Sequence, residues 1–350
     1  MTSGKTSGKV AVLGAGAWGT ALAKVLAEKG DEVVMWARNP EVITQVNARH
    51  ENERYLPGAK LPESLRANGS VEETLSGATM VVFVAPSHAT REVARLAAPF
   101  VPRDVPVVSA TKGIENESLE FMDEVLHHEL PAHAHEHMTF LSGPSFAKEL
   151  AHHLPTAVVI ASKSSAACEV VMRRFHQPYL RTYASEDVIG VECGGALKNV
   201  VAIAAGTCDG LGFGHNTRAA LITRGLAEVQ RLAVARGGSP LTLAGLAGMG
   251  DMVLTCNGEL SRNRTVGVEL GKGKKLGDIL ASLGHVAEGV KTTKSAYDLS
   301  RKLNVDMPIT AEIYAVLYED KPAEKAVVDL MARELGPEFD LKVAREATRS

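Results

Sequence analysis

KVAVLGAGAWGTALAKVLAEKGDEVVMWARN, residues 9–39, decides how the first half of this chain folds. The run 9–13 alternates and concentrates aliphatic residues as a strand does, and Gly14, Gly16 and Gly19 follow it directly. Apolar residues then recur with helical period over 17–29, and a second aliphatic run occupies 32–36. Strand, glycine turn, helix and strand in that order make a βαβ unit whose turn aims backbone N–H groups and the positive end of a helix dipole at one spot. A pyrophosphate fits such a spot. In these turns the first glycine permits the tight bend, the second admits the phosphates and the third lets helix and strand pack closely.

The residue that usually grips the adenine ribose is missing. A site for NAD carries Asp or Glu just after the second strand, but this sequence reads Trp36-Ala37-Arg38-Asn39. Arg38 can instead pair with the 2′-phosphate of NADP, because a guanidinium binds phosphate with fixed, often bidentate geometry. NADPH is therefore the favoured cofactor, with NADH tolerated.

Outward from this unit the rhythm continues. Short apolar runs at 80–85, 106–110, 138–141, 157–161 and 179–183 alternate with helical patterns at 89–98, 118–130 and 164–175. Such alternation implies a mostly parallel sheet with helices on both faces. From about Glu192 the pattern is helical, with segments at 194–205, 217–236, 289–303 and 310–318. The expected fold class is α/β: an N-terminal Rossmann-like, doubly wound sheet over 1–188, followed by an all-α domain over 189–350.

Composition is that of an ordinary folded protein of 350 residues, with 45% hydrophobic and 23% charged residues and a formal net charge of -3. No overall positive field recruits nucleic acid. The polar start lacks a secretory signal, and no apolar run approaches the ~20 residues of an integral membrane segment, so a cytoplasmic location is expected. Cys168, Cys193, Cys208 and Cys256 show no CxxC pairing and read as free thiols, and no metal site is expected. The His-rich stretch 127–137 reads as a solvated loop.

Two stretches in the second half carry chemistry. GVECGGALKNVVAIAAG sets Lys198 and Asn199 in a helix of small apolar residues, where a lysine can exchange a proton with a carbonyl oxygen. GMGDMVLTCNGELSRNRTVG carries Asp251, Thr255, Ser261, Arg262, Asn263 and Arg264. If 251–255 is helical, Asp251 and Thr255 share a face, and the carboxylate can hold a catalytic ammonium. Arg262 and Asn263 suit an anionic group, phosphate above all. Taken alone, this stretch reads rather as a polar loop between helices. In the first half, SATKGIE sets Lys112 after a strand, on the edge where doubly wound sheets bind ligands, and LSGPSFAKEL does the same for Gly143 to Ala147. Each is also compatible with a simple turn.

Together these stretches resemble the NAD(P)-dependent glycerol-3-phosphate dehydrogenases of the soluble biosynthetic type. GAGAWGTALA, SATKGIE, SGPSFA, CGGALKNVVAIAAG, GDMVLTC, SRNR and VAEGVKT occur in the expected order over nearly the whole chain. The resemblance implies reversible reduction of dihydroxyacetone phosphate to sn-glycerol 3-phosphate, the backbone precursor of phospholipids, by a protein that is commonly a homodimer. It implies Lys198 as proton donor and acceptor, supported by Asp251 and Asn199 with Thr255 nearby, and Lys112 close to substrate and nicotinamide. It assigns Gly143, Ser145, Ser261, Arg262 and Asn263 to the substrate. Ala17, Trp18, Arg38, Lys112, Ala147, Arg262, Val286 and Glu288 match cofactor-contacting positions, although members differ at the position of Arg38. A β-hydroxyacid or 6-phosphogluconate-type dehydrogenase is the nearest rival, but its Lys and Asn are spaced along the helix rather than adjacent. A non-catalytic NADP-binding sensor would need none of Lys198, Lys112 and Asp251.

Overall fold

A computed structural model describes residues 8–283, 287–338 and 343–345. The chain divides into two compact units. Residues up to Thr111, with Met122–Val188, form the first, and Lys112–Phe121 with the chain from Ile189 onward form the second. The short segment Lys112–Phe121 therefore belongs with the helices although the sheet precedes and follows it in sequence.

The first unit is an eight-stranded sheet of β1 (Lys9–Leu13), β2 (Glu32–Trp36), β3 (Leu65–Asn68), β4 (Met80–Phe83), β5 (Val107–Ser109), β6 (Met138–Ser142), β7 (Thr156–Ala161) and β8 (Leu180–Ser185), in the spatial order β3-β2-β1-β4-β5-β6-β7-β8. All neighbours run parallel except β6 and β7. Chain order reverses between β1 and β4, which makes that boundary the topological switch point where doubly wound sheets take their ligands. β4 is buried along its whole length and β1 everywhere but its first residue, because helices such as Ala17–Lys29 and Ser165–Phe175 cover the sheet. The extra strand β3 escapes a hydrophobic-pattern reading because Leu-Arg-Ala-Asn buries only Leu65 and Ala67 fully. An expected helix at 118–130 begins later, at Met122. Its first residues instead close a turn in which Ile114 bridges Phe121 and Leu119 takes a positive φ of 63°. The stretch 127–137 is not a loop: it completes the helix Met122–Glu129 and forms a short one at Ala132–His135, with His127 stacked on His135 at 3.8 Å.

The second unit is built around the helix Val188–Gly210. By length and composition alone this helix could cross a bilayer, but most of it is buried in the protein, as the core helix of a folded unit is, so no integral membrane segment is suggested. Leu197, Val200, Val201 and Ile203 pack with Leu226, Val229 and Leu232 of His215–Ala235, Val266 of Arg262–Gly271, Leu299 of Glu288–Lys302 and Ile313 of Pro308–Tyr318. All four cysteines are free and buried.

One crossing positions the site. A Cβ on Gly206 would lie 2.0 Å from the Arg264 carbonyl oxygen, and one on Gly267 2.0 Å from that of Ile203. Only glycine lets the two backbones come so close. One helical turn before Ile203 and Gly267 stand Asn199 and Asn263, which the same crossing brings face to face.

Candidate active site

In the first unit the glycine turn has the form a diphosphate requires. Gly14 has φ +137°, and a Cβ there would meet the Val84 carbonyl oxygen, just past β4, at 2.8 Å. A Cβ on Gly19 would lie 2.0 Å from the carbonyl oxygen of Gly14 itself. A Cβ on Gly16 would meet nothing within 4 Å, so that glycine faces open space. Gly16 caps the helix that starts at Ala17 without a side-chain hydrogen bond, and no acidic residue sits in its first turn. The helix start is thus free to receive an anion. Trp18 packs against the apolar core of this unit, and its buried Nε1 has no acceptor among the described residues. These features fit a dinucleotide held by its pyrophosphate.

Asn52 braces this turn, a role that no sequence pattern signalled. Its buried side-chain amide donates to the Ala15 carbonyl at 3.0 Å and to Thr20 Oγ1 at 2.8 Å. Arg38 follows β2, is exposed, and has no hydrogen-bond or ion-pair partner among the described residues. Asn39 beside it is occupied in capping the helix Pro40–Arg49. Gly143, with φ +136°, and Ser145 form a tight turn after β6, closed by Ser145 Oγ donating to the Gly143 carbonyl at 2.9 Å. Ala147 then begins a short helix. Val286 lies outside the described residues.

The second unit gathers the charged residues. The helix Asp251–Asn257, entered through a π-turn at Leu246–Gly250, sets Asp251 and Thr255 on one face. Lys198 Nζ donates to Asp251 Oδ1 at 2.7 Å and to Thr255 Oγ1 at 2.9 Å. Thr255 gives its own proton to the Asp251 carbonyl at 2.6 Å, so a lone pair is left to receive Lys198. An ammonium has three protons, and two of those on Lys198 are committed; the third has no protein partner among the described residues.

Lys112 joins the same carboxylate, its Nζ 2.6 Å from Asp251 Oδ2. Burial pushes its pKa down to about 8; the Asp251 charge opposes that shift and the Lys198 charge adds to it. The Lys112 segment is tied to the Glu288–Lys302 helix by Ser295 Oγ, which donates to Asn116 Oδ1 at 2.7 Å. Glu288, at the start of that helix, has its pKa raised by burial, against the pull of the Arg262, Lys198 and Lys112 charges.

The two arginines of the SRNR stretch are not equivalent. Ser261 caps the helix Arg262–Gly271 by accepting from the Arg264 N–H at 3.2 Å. Arg264 is held by Asp209, to whose Oδ2 it donates from Nε at 3.0 Å and Nη2 at 2.7 Å, and Arg218 takes the other oxygen of that carboxylate. Arg262 is exposed and has no hydrogen-bond or ion-pair partner among the described residues. Asn263 is half-buried and donates to Asn199 Oδ1 at 2.9 Å. Asp209 lies three residues past the end of the CGGALKNVVAIAAG motif, on the same helix as Lys198, and nothing in its local sequence pairs it with Arg264.

A family profile described as NAD-dependent glycerol-3-phosphate dehydrogenase N-terminus matches residues 9–168, and the corresponding C-terminus profile matches residues 187–328. The chain belongs to the NAD-dependent glycerol-3-phosphate dehydrogenase family. A relative from Geobacter sp. strain M21, named glycerol-3-phosphate dehydrogenase (NAD(P)+), is 52% identical over 330 residues, spanning 94% of this chain and 98% of its own. One of the same name from Myxococcus xanthus is 54% identical over 323 residues, spanning 92% of this chain and 96% of its own. The crystal structure of glycerol-3-phosphate dehydrogenase from Coxiella burnetii superposes with a TM-score of 0.89 at 40% identity, covering 94% of this chain and all of that one. The Rossmann-like sheet followed by a helical domain is thus the architecture of this dehydrogenase family.

Proposed function

We propose that this chain catalyses the reversible reduction of dihydroxyacetone phosphate to sn-glycerol 3-phosphate, with NADPH as the favoured cofactor and NADH accepted, and so supplies the glycerol backbone of phospholipids. The observation that carries the reading is Lys198: a buried ammonium with two protons committed and one available, in a chain whose family matches along most of its length. The glycine turn and Arg38 would hold the cofactor, whose chemistry when bound would be to supply a hydride.

Every other step belongs to the protein. Lys198 gives its third proton to the carbonyl oxygen as negative charge builds there, and takes it back in the oxidation direction. Asp251 and Thr255 hold the resulting amine in place. The Lys112 ammonium offsets charge on the oxygen before the proton arrives. Arg262, with no hydrogen-bond or ion-pair partner among the described residues, receives the phosphate together with Ser261, and Asn199, held by Asn263, aligns the remainder of the substrate; Gly143 and Ser145 keep the substrate role that the resemblance implies. A cytoplasmic location and assembly as a homodimer belong to the same proposal, supported by the family resemblance; light scattering on purified protein checks the second.

The test follows nicotinamide absorbance with dihydroxyacetone phosphate, using NADPH and NADH in parallel and unphosphorylated dihydroxyacetone as control. Phosphate-dependent oxidation of the cofactor is expected. Tight cofactor binding without turnover would overturn the assignment.

A further inference from the structure

Three hydrogen-bonding groups from three helices form a chain with a direction. Gly289, in the first turn of Glu288–Lys302, donates its backbone N–H to Asn263 Oδ1 at 3.0 Å. Asn263 Nδ2 donates to Asn199 Oδ1 at 2.9 Å. The helix start at Ala287 has no side-chain cap of its own, so Asn263 satisfies one of its otherwise orphaned donors from across the unit. The approach is too close for any side chain at position 289, where a Cβ would lie 2.7 Å from Asn263 Oδ1 and 2.9 Å from the Asn199 carbonyl oxygen.

A side-chain amide can usually be turned over, exchanging its oxygen and nitrogen. This pair cannot. A backbone N–H is only ever a donor, so the Asn263 oxygen must face Gly289 and its nitrogen must face Asn199. Asn199 must then answer with its oxygen, which leaves its Nδ2 as the only end available to a ligand; that nitrogen has no partner among the described residues.

We infer that Asn263 is a positioning residue that sets the polarity of the Asn199 amide, so that Asn199 presents N–H donors and never a carbonyl to the substrate. This rests on the dehydrogenase reading above and sharpens it. A donor at this point suits a group that only accepts, such as a phosphate or carbonyl oxygen, and a carbonyl there would repel it. Asn263→Asp keeps an acceptor for Gly289 but places a second acceptor against Asn199, which turns the Asn199 amide over.

The experiment is a double-mutant cycle of Asn263→Asp and Asn199→Ala, read as kcat/KM for dihydroxyacetone phosphate with NADPH, with thermal unfolding as the folding control. In the wild-type background Asn263→Asp lowers kcat/KM about tenfold or more, chiefly through KM, as expected for a lost hydrogen bond to a charged group. In the Asn199→Ala background the same change costs nothing further. An equal factor in both backgrounds means that the introduced carboxylate acts on the substrate directly and overturns the inference.

A second readout does not depend on activity or on the variants folding. In wild-type protein with 15N-labelled asparagine side chains, one Nδ2 proton of Asn263 exchanges with solvent more slowly than either Nδ2 proton of Asn199. That pattern in a protein without dihydroxyacetone phosphate turnover would sink the dehydrogenase reading and leave the relay standing. The reverse pattern overturns the relay itself.

Discussion

Lys112 and Asp251, 139 residues apart in the chain, meet at 2.6 Å, and the carboxylate oxygen that Lys112 uses is the one that Lys198 leaves open. One buried carboxylate thus serves two ammonium groups, and the three groups together carry a surplus positive charge where the proposed reaction builds a negative one.

The pH dependence follows from Lys112. Its pKa in the folded protein is pushed to about 8, below the ordinary lysine value of 10.5, chiefly by burial. Its charge is present below about 8 and is lost as pH rises through that value, so the rate of dihydroxyacetone phosphate reduction should fall along an alkaline limb centred there. Lys112→Arg keeps a cation at every accessible pH. Its pH profile, whatever its absolute rate, should lack that limb; persistence of the limb would assign it to another group. Between about 8 and 10.5 the unfolded chain holds more protons on this residue than the folded one, so Lys112 makes stability rise with pH there.

Removing Lys198 and removing Asp251 should have different signatures. Lys198→Ala deletes the proposed proton donor and should lower kcat by roughly 10²–10⁴-fold while cofactor affinity is retained. Asp251→Ala removes the carboxylate shared by two ammonium groups, and loss of one partner from a buried ion pair costs about 3–5 kcal/mol. Turnover, cofactor titration and denaturant unfolding on both variants separate the two effects. Near-normal turnover in folded Lys198→Ala would remove it from the chemistry.

Arg38 should govern cofactor choice. A bond to a charged phosphate contributes about 1.5–3 kcal/mol, so Arg38→Ala should reduce kcat/KM for NADPH by roughly 10- to 100-fold. The value for NADH should barely move, because Arg38 has no structural partner to lose among the described residues. An unchanged NADPH-to-NADH ratio would mean that Arg38 does not reach the 2′-phosphate.

Glu228 offers a check on the helical unit that is independent of catalysis. Its buried carboxylate accepts from the Thr310 N–H at 3.1 Å and Thr310 Oγ1 at 3.0 Å and also from the Ile309 N–H, capping the helix Pro308–Tyr318 from a neighbouring one. Burial outweighs those bonds and raises its pKa from 4.5 to about 7. The folded state therefore binds the proton more tightly, and the contribution is full below about 4.5 and lost as pH rises through about 7. Glu228→Gln should flatten the stability difference between about pH 5 and about pH 7.5 in urea unfolding; an identical slope in both proteins would place the titration elsewhere.

Much of this was legible in the chain itself. β1, β2 and the helix between them follow the hydrophobic pattern to the residue, because a buried parallel strand and an amphipathic helix impose different periods. The one-turn relation of Asp251 to Thr255 follows from the same geometry. Strand β3 was not legible, since it borrows its stability from β2 rather than from its own polar sequence. Nor was the late start at Met122, where an αL residue and a two-residue bridge override helical periodicity.

Local order along the chain determined the Rossmann-like sheet, the helical second half, the glycine turn and the family, because each depends on spacings within a few residues or on motifs read in series. Tertiary structure alone decided which partners those motifs found. Asn52 under the glycine turn, Asp209 on Arg264 and Gly289 on Asn263 are each tens of residues from what they hold. Single polar residues at such separations leave no periodic trace, and their pairing is set by where packed helices and strands happen to cross. The same crossing distinguishes Arg262, without a hydrogen-bond or ion-pair partner among the described residues, from Arg264, already paired with Asp209, two residues along the same stretch of sequence.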